Sequence, residues 1–187
     1  MNKALLRPVL FALALLVASS GVMQASAISG SLPFVVFTAT ENGVNLSSST
    51  MESAVQSLTS GPGVGDFSVV PVMTAFGSIS LNDLTVASGG GFSFSNATYG
   101  SFVAKGGSIV TQTSNFLNVT LTGVYDPGPG IPGVSPSPAV VHLSFNQTGS
   151  SLSGSYTLAT VPEPGAFALL GSGILACWRG FRWQRKV

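Results

Sequence analysis

The chain has 187 residues, 45% of them hydrophobic and only 7% charged, with a formal net charge of +1. Residues 28–160 carry five acids (Glu41, Glu52, Asp66, Asp83, Asp126) against one cation, Lys105; no basic patch exists, which excludes nucleic acid as a partner. The single cysteine, Cys177, lies near the C-terminus, so no disulfide can staple the body, and stability must come from packing and backbone pairing.

Residues 1–27 read as a secretory signal peptide. Lys3 and Arg7 form a basic start, PVLFALALLV at 8–17 an apolar core, and Ala25-Ser26-Ala27 a cleavage site with the small residues Ala25 and Ala27 where signal peptidase needs them. An uncleaved N-terminal anchor is the alternative, and the short apolar core argues against it. The mature chain then starts near Ile28, with its body exported.

The body, 28–160, is rich in Ser, Thr and Gly and shows the two-residue period of half-buried strands. In FLNVTLTGVY, Leu117, Val119 and Leu121 alternate with Asn118, Thr120 and Thr122. In AVVHLSFN, Val141, Leu143 and Phe145 share one face. In SLSGSYTLA, Leu152, Tyr156 and Leu158 do the same. Further strands are expected at 32–38, 67–72, 79–86, 91–94, 99–105 and 108–112, with turns at Glu41-Asn42-Gly43, Gly89-Gly90-Gly91, Gly106-Gly107 and Gln147-Thr148-Gly149. TMESAVQSL at 50–58 is expected to be one or two helical turns capped by Thr50. DPGPGIPGVSPSP at 126–138 holds too many Pro to be a central strand and is expected to be a long exposed loop. The pattern predicts one all-β domain, an antiparallel β-sandwich or a jelly-roll-like barrel.

Candidate chemistry in this body is sparse. His142 is the only histidine and sits on the polar face of its strand, with no second ligand nearby in sequence. A carboxylate pair for glycoside cleavage would need Asp66, Asp83 or Asp126 to meet across the fold. Calcium at loop oxygens near Asp126 or Glu41 is conceivable, but the carboxylates are too sparse to expect it. No catalytic residue, metal site or cofactor is therefore expected. Sugar binding by stacking would fall to Tyr99, Tyr125, Tyr156 or the Phe residues, since the body has no Trp.

The tail, VPEPGAFALLGSGILACWRGFRWQRKV, has three parts. Val161-Pro162-Glu163-Pro164 is stiff, because each Pro fixes its own φ and biases its predecessor toward extended geometry. Residues 165–178 are uncharged, about 20 Å long as a helix, and approach spanning length if Arg179 and Arg182 snorkel to the headgroups. Arg179, Arg182, Arg185 and Lys186 form a basic stop that keeps the C-terminus cytoplasmic. A plain membrane anchor would show the last two features. All three in this order resemble the PEP-CTERM sorting signal of Gram-negative bacteria. The resemblance implies Pro162, Glu163 and Pro164 as recognition residues for an exosortase-like membrane enzyme, 165–178 as a transient anchor in membrane lipid, and transfer of the protein to the cell surface. The catalytic Cys of that system belongs to the enzyme, and Cys177 is expected to be a small membrane-facing residue.

The sequence thus predicts a non-enzymatic cell-surface or extracellular-matrix protein with a polysaccharide as candidate partner. The alternative is a carbohydrate-binding β-sandwich module on the surface. Exposed coplanar aromatics would favour the second, and their burial the first.

Overall fold

Strict alternation settles the longest strands. The computed structural model describes residues 26–161, which form eleven strands: β1 (Ser26–Ala27), β2 (Gly30–Glu41), β3 (Met51–Thr59), β4 (Val64–Gly65), β5 (Ile79–Asn82), β6 (Ser93–Asn96), β7 (Gly100–Gln112), β8 (Phe116–Pro127), β9 (Val134–Ser135), β10 (Ser137–Thr148) and β11 (Ser151–Thr160). In β8 and β10 every inward residue from Leu117 to Leu121 and from Val141 to Phe145 is buried, as the period of two requires.

One antiparallel sheet runs β5-β3-β2-β11-β10-β8-β7-β6, with β4 beside β2. Neighbours in space are neighbours in the chain, so this is an up-and-down meander without the crossed connections of a jelly roll. The first and last long strands close on each other, Ser31 opposite Ala159 and Val36 opposite Gly154. The sheet curls into a nearly closed barrel whose free edges, β5 and β6, face each other. Among the described residues no helix is long and apolar enough to cross a membrane.

Side chains fill the barrel, as expected at this strand number. Phe34 stacks on Tyr156 at 4.4 Å and meets Phe76 edge-on at 5.1 Å; Phe94 stacks on Phe102 at 5.5 Å. Gly154 makes room for this packing. A Cβ there would lie 2.6 Å from the Phe145 ring and 2.8 Å from Val36.

Several expectations are corrected. The 50–58 stretch does not form helical turns; Met51–Thr59 is strand β3. Their inward residues are Glu52, Ala54, Ser57 and Thr59, because β3 changes parity at Val55-Gln56, which both face solvent. That change turns a period of two into a spacing that mimics a helix, and polar inward residues hide the core face. Strand β2 matches it: Phe37 and Thr38 both face out, with Thr38 at φ 53°. Residues 67–72 are not a strand. A 3-10 turn at Asp66–Val69 buries Phe67 against Tyr125. Residues 79–86 split where the Asn82 side chain accepts from Leu84 N and starts a second 3-10 turn, Asp83–Ser88. Gly106-Gly107 is no turn. Strand β7 runs through it with irregularities at 104–106 and 109–111, and a Cβ on Gly107 would approach Thr120 O to 2.7 Å. The Pro-rich stretch is less exposed than expected: Ile131 is buried, and Val134–Ser135 pair in parallel with β1.

Candidate functional site

Three places on the body invite a chemical account: a buried acid cluster at one pole, an open seam along the barrel wall, and the pole where both chain ends leave.

The acid cluster follows from strand register. Glu41 ends β2 directly opposite Glu52 of β3, and Glu52 also faces Leu81 of β5. Asp83 follows β5 and is anchored by its backbone N–H donating to Thr50 O at 3.0 Å. Three of the five body acids thereby meet at one end of the barrel. The loop 42–50 covers them, with Leu46 wholly buried. Two amides hold that cover. Gln147 donates to Glu41 and accepts from Leu46 N at 3.1 Å, while Gln112 donates to Leu46 O at 2.8 Å and to Asp83 at 3.1 Å.

These partners are too few. Glu52 is fully buried, and neither of its carboxylate oxygens has a donor; Glu41 Oε2 and Asp83 Oδ1 also lack one. Burial, above all, pushes the Glu52 carboxyl up to about 8; a contact with the Ser49 hydroxyl opposes this, and the charges of Asp83 and Glu41 add to it. Asp83 is also raised, again mainly by burial, with Glu52 and Gln112 pulling it back. Glu52 therefore carries a proton at neutral pH, which supplies the donor Asp83 otherwise lacks. Among the described residues no group of three or more His, Cys, Asp or Glu side chains is arranged to hold a metal ion. Burial beneath the 42–50 loop thus favours the neutral form of Glu52.

The seam lies between β5 and β6. It is bridged at its ends, by Ser95 N donating to Phe76 O at 3.0 Å and Asn82 N donating to Gly90 O at 2.9 Å. Between the bridges opens a groove of about 620 Å³ lined by Ser53, Ser78, Ser80 and Ser93 with Val55 and Ile79. It is uncharged and offers hydroxyls from both walls.

At the opposite pole from the acids the chain ends come together. Ile28 is buried, and its N–H donates to Ser137 Oγ at 3.1 Å; Gly30 N donates to Thr160 Oγ1 at 2.8 Å, and Val161 N to Pro138 O at 3.0 Å. Ala27 of the expected cleavage site sits in β1 beside Ser135. Ala25, Pro162, Glu163, Pro164, Arg179, Arg182, Arg185 and Lys186 lie outside the described residues.

The remaining sequence candidates are dispersed. His142 is exposed and contacts only the Thr120 hydroxyl, at 3.2 Å. Asp126 is exposed, and Asp66 accepts from Ser29 N at 2.7 Å, so neither joins Asp83. Tyr125 and Tyr156 are buried, and Tyr99 is half-buried. Glu52, Gln112 and Gln147 were not singled out by sequence. Glu52 had one usable signal, a carboxylate two residues before the inward Ala54.

No curated protein and no solved structure matches the chain. Residues 160–186 match the family model of the PEP-CTERM protein-sorting motif, which begins at the last residue of β11. That motif marks an exported protein, anchored in a membrane until an exosortase-like enzyme processes it. The chain thus carries a PEP-CTERM sorting motif on its tail, joined to a β-barrel body that has no family assignment.

Proposed function

We propose that this protein is a non-enzymatic component of the cell surface or extracellular matrix, delivered by its tail. The observation that carries the proposal is the sorting motif joined without a spacer to the last barrel strand. The body suits passive material. Most of its aromatics are spent on the core, with Phe37 and Tyr99 among the exceptions, and Glu52 lies fully buried beneath the 42–50 loop. Signal peptidase acts at Ala27 before the barrel closes, because a chain paired at 26–27 and buried at Ile28 cannot lie extended in a protease cleft. Pro162, Glu163 and Pro164 are the recognition residues, and Arg179, Arg182, Arg185 and Lys186 the membrane stop. The test is intact mass and C-terminal sequencing of surface-released protein, with and without the host's sorting enzyme. A C-terminus near 162–165 that depends on the enzyme is expected. A C-terminus at Val187 in both backgrounds would make the tail a plain anchor.

A second reading, a carbohydrate-binding module, is favoured by the serine-walled seam. Buried Tyr125 and Tyr156 remove the stacking platform, so binding would rest on hydroxyl hydrogen bonds and be weak. Ser80→Ala with Ser93→Ala, which removes a hydroxyl from each wall of the groove, should abolish retardation of the body in gels containing the host's exopolysaccharide. Absence of retardation in the unaltered protein ends this reading.

A further inference from the structure

The pole that releases both chain ends also displays an apolar loop. Val64, Val69, Val72 and Met73 are each about half or more exposed, all within ten residues. Other exposed apolar residues, such as Val44, Leu84 and Val110, lie apart along the chain. The loop is tied to the pole: Val64 and Gly65 pair with Ser31 and Gly30, and Asp66 N donates to Ser29 O at 2.9 Å. Its shape is fixed rather than collapsed. Thr59 Oγ1 donates to Pro71 O at 2.8 Å and accepts from Thr74 N at 2.9 Å, and Met73 is held at φ 65°, an unfavourable region for its side chain. The one charge in the loop, Asp66, is turned inward onto Ser29 N and Oγ. A fixed loop whose one charge is bound back onto Ser29 and whose valines point outward has the character of an interfacial contact.

Chain length says what covers it. Only residues 161–164 separate β11 from the apolar run that begins at Gly165. Four residues reach about 14 Å at most. The headgroup layer takes up about 5–8 Å of that on each side of a bilayer. While the tail is in the membrane, this pole stands no further than about 10 Å from the headgroups in any conformation of the link.

We propose that the body rests on the bilayer by this pole in the precursor, with Val64, Val69, Val72 and Met73 in the lipid interface and the acid cluster facing away. The proposal rests on the tail being the membrane anchor. The contact is apolar, since among the described residues no cation lies at the pole and Asp126 is exposed there; added salt should not loosen it.

The test uses the full chain in vesicles of phosphatidylethanolamine and phosphatidylglycerol. In a Cys177→Ala background, Val69→Cys and Val72→Cys carry a fluorophore on the loop, and Val44→Cys carries it at the far pole. Expected are quenching by doxyl lipid and loss of iodide quenching at 69 and 72, with the reverse at 44, unchanged by salt. Vesicle-bound chain whose labels at 69 and 72 are as open to iodide as that at 44 overturns the proposal and leaves the anchor intact. Chain that does not float with the vesicles overturns the anchor and the proposal together. Shielding that appears only with the sorting enzyme present assigns the face to that protein instead of lipid.

Discussion

Glu52→Gln is expected to raise the thermal stability of the body near pH 8 and leave it almost unchanged near pH 4. The folded-state Glu52 carboxyl lies at about 8 against an ordinary value of 4.5. Between those values the folded chain holds a proton that the unfolded chain does not. Stability therefore falls as pH rises through that window, and the loss is complete above it. Below the window both states are protonated, and Gln is a near-isostere of the neutral acid. At about 1.4 kcal/mol per unit the full shift would amount to several kcal/mol. Glu41 and Gln147 line an open pocket of about 290 Å³, so water approaches the cluster and screens part of it. A gain of about 2 kcal/mol near pH 8 is expected. The groups facing Glu52 are Glu41 from β2 and Asp83 from the 3-10 turn, with Gln112 and Gln147 neutral beyond them. Glu52→Ala separates charge from shape: it leaves Asp83 without its donor and opens a cavity, so it should destabilise at both pH values. Thermal unfolding across this range checks both variants. A Glu52→Gln profile parallel to the unaltered one would show that Glu52 is ionised in the fold.

What the sequence disclosed follows how each segment buries its residues. Strands β8, β10 and β11 were legible because Leu117, Val119, Leu121, Val141, Leu143 and Phe145 face one core with polar residues between them. Strand β3 was not, since its inward Glu52, Ser57 and Thr59 are polar and its parity changes midway. The same blindness hid the acid cluster. Glu41, Glu52 and Asp83 are far apart in sequence and meet only because β2, β3 and β5 are paired in register. Local chemistry was misread where a side chain rather than the backbone ended an element, as with the Asn82 cap. The tail was legible because its signal is order along the chain and needs no folding to be seen.

Phe34→Ala should cost about 3–5 kcal/mol, while Phe37→Ala, three residues along the same strand, should stay within about 0.5 kcal/mol. Phe34 is 1% exposed and touches Phe76, Phe94 and Tyr156, so its removal takes one ring from a stacked pair and from two tilted or edge contacts. Its partners on β6, β11 and the 75–78 segment cannot all close on the gap, because their rings come from three different parts of the barrel wall. Phe37 is 44% exposed, on the outward face that alternation from Phe34 through Val36 gives it. The parity change comes after it, at Thr38, and puts Ala39 and Glu41 on the inward side in place of Thr38 and Thr40. Equal losses at both positions, measured by denaturant unfolding, would mean that Phe37 faces the core and that the break in alternation comes before it. Without any parity change in β2, Glu41 would leave the inward face that brings it to Glu52, and the acid cluster at the far pole would not assemble.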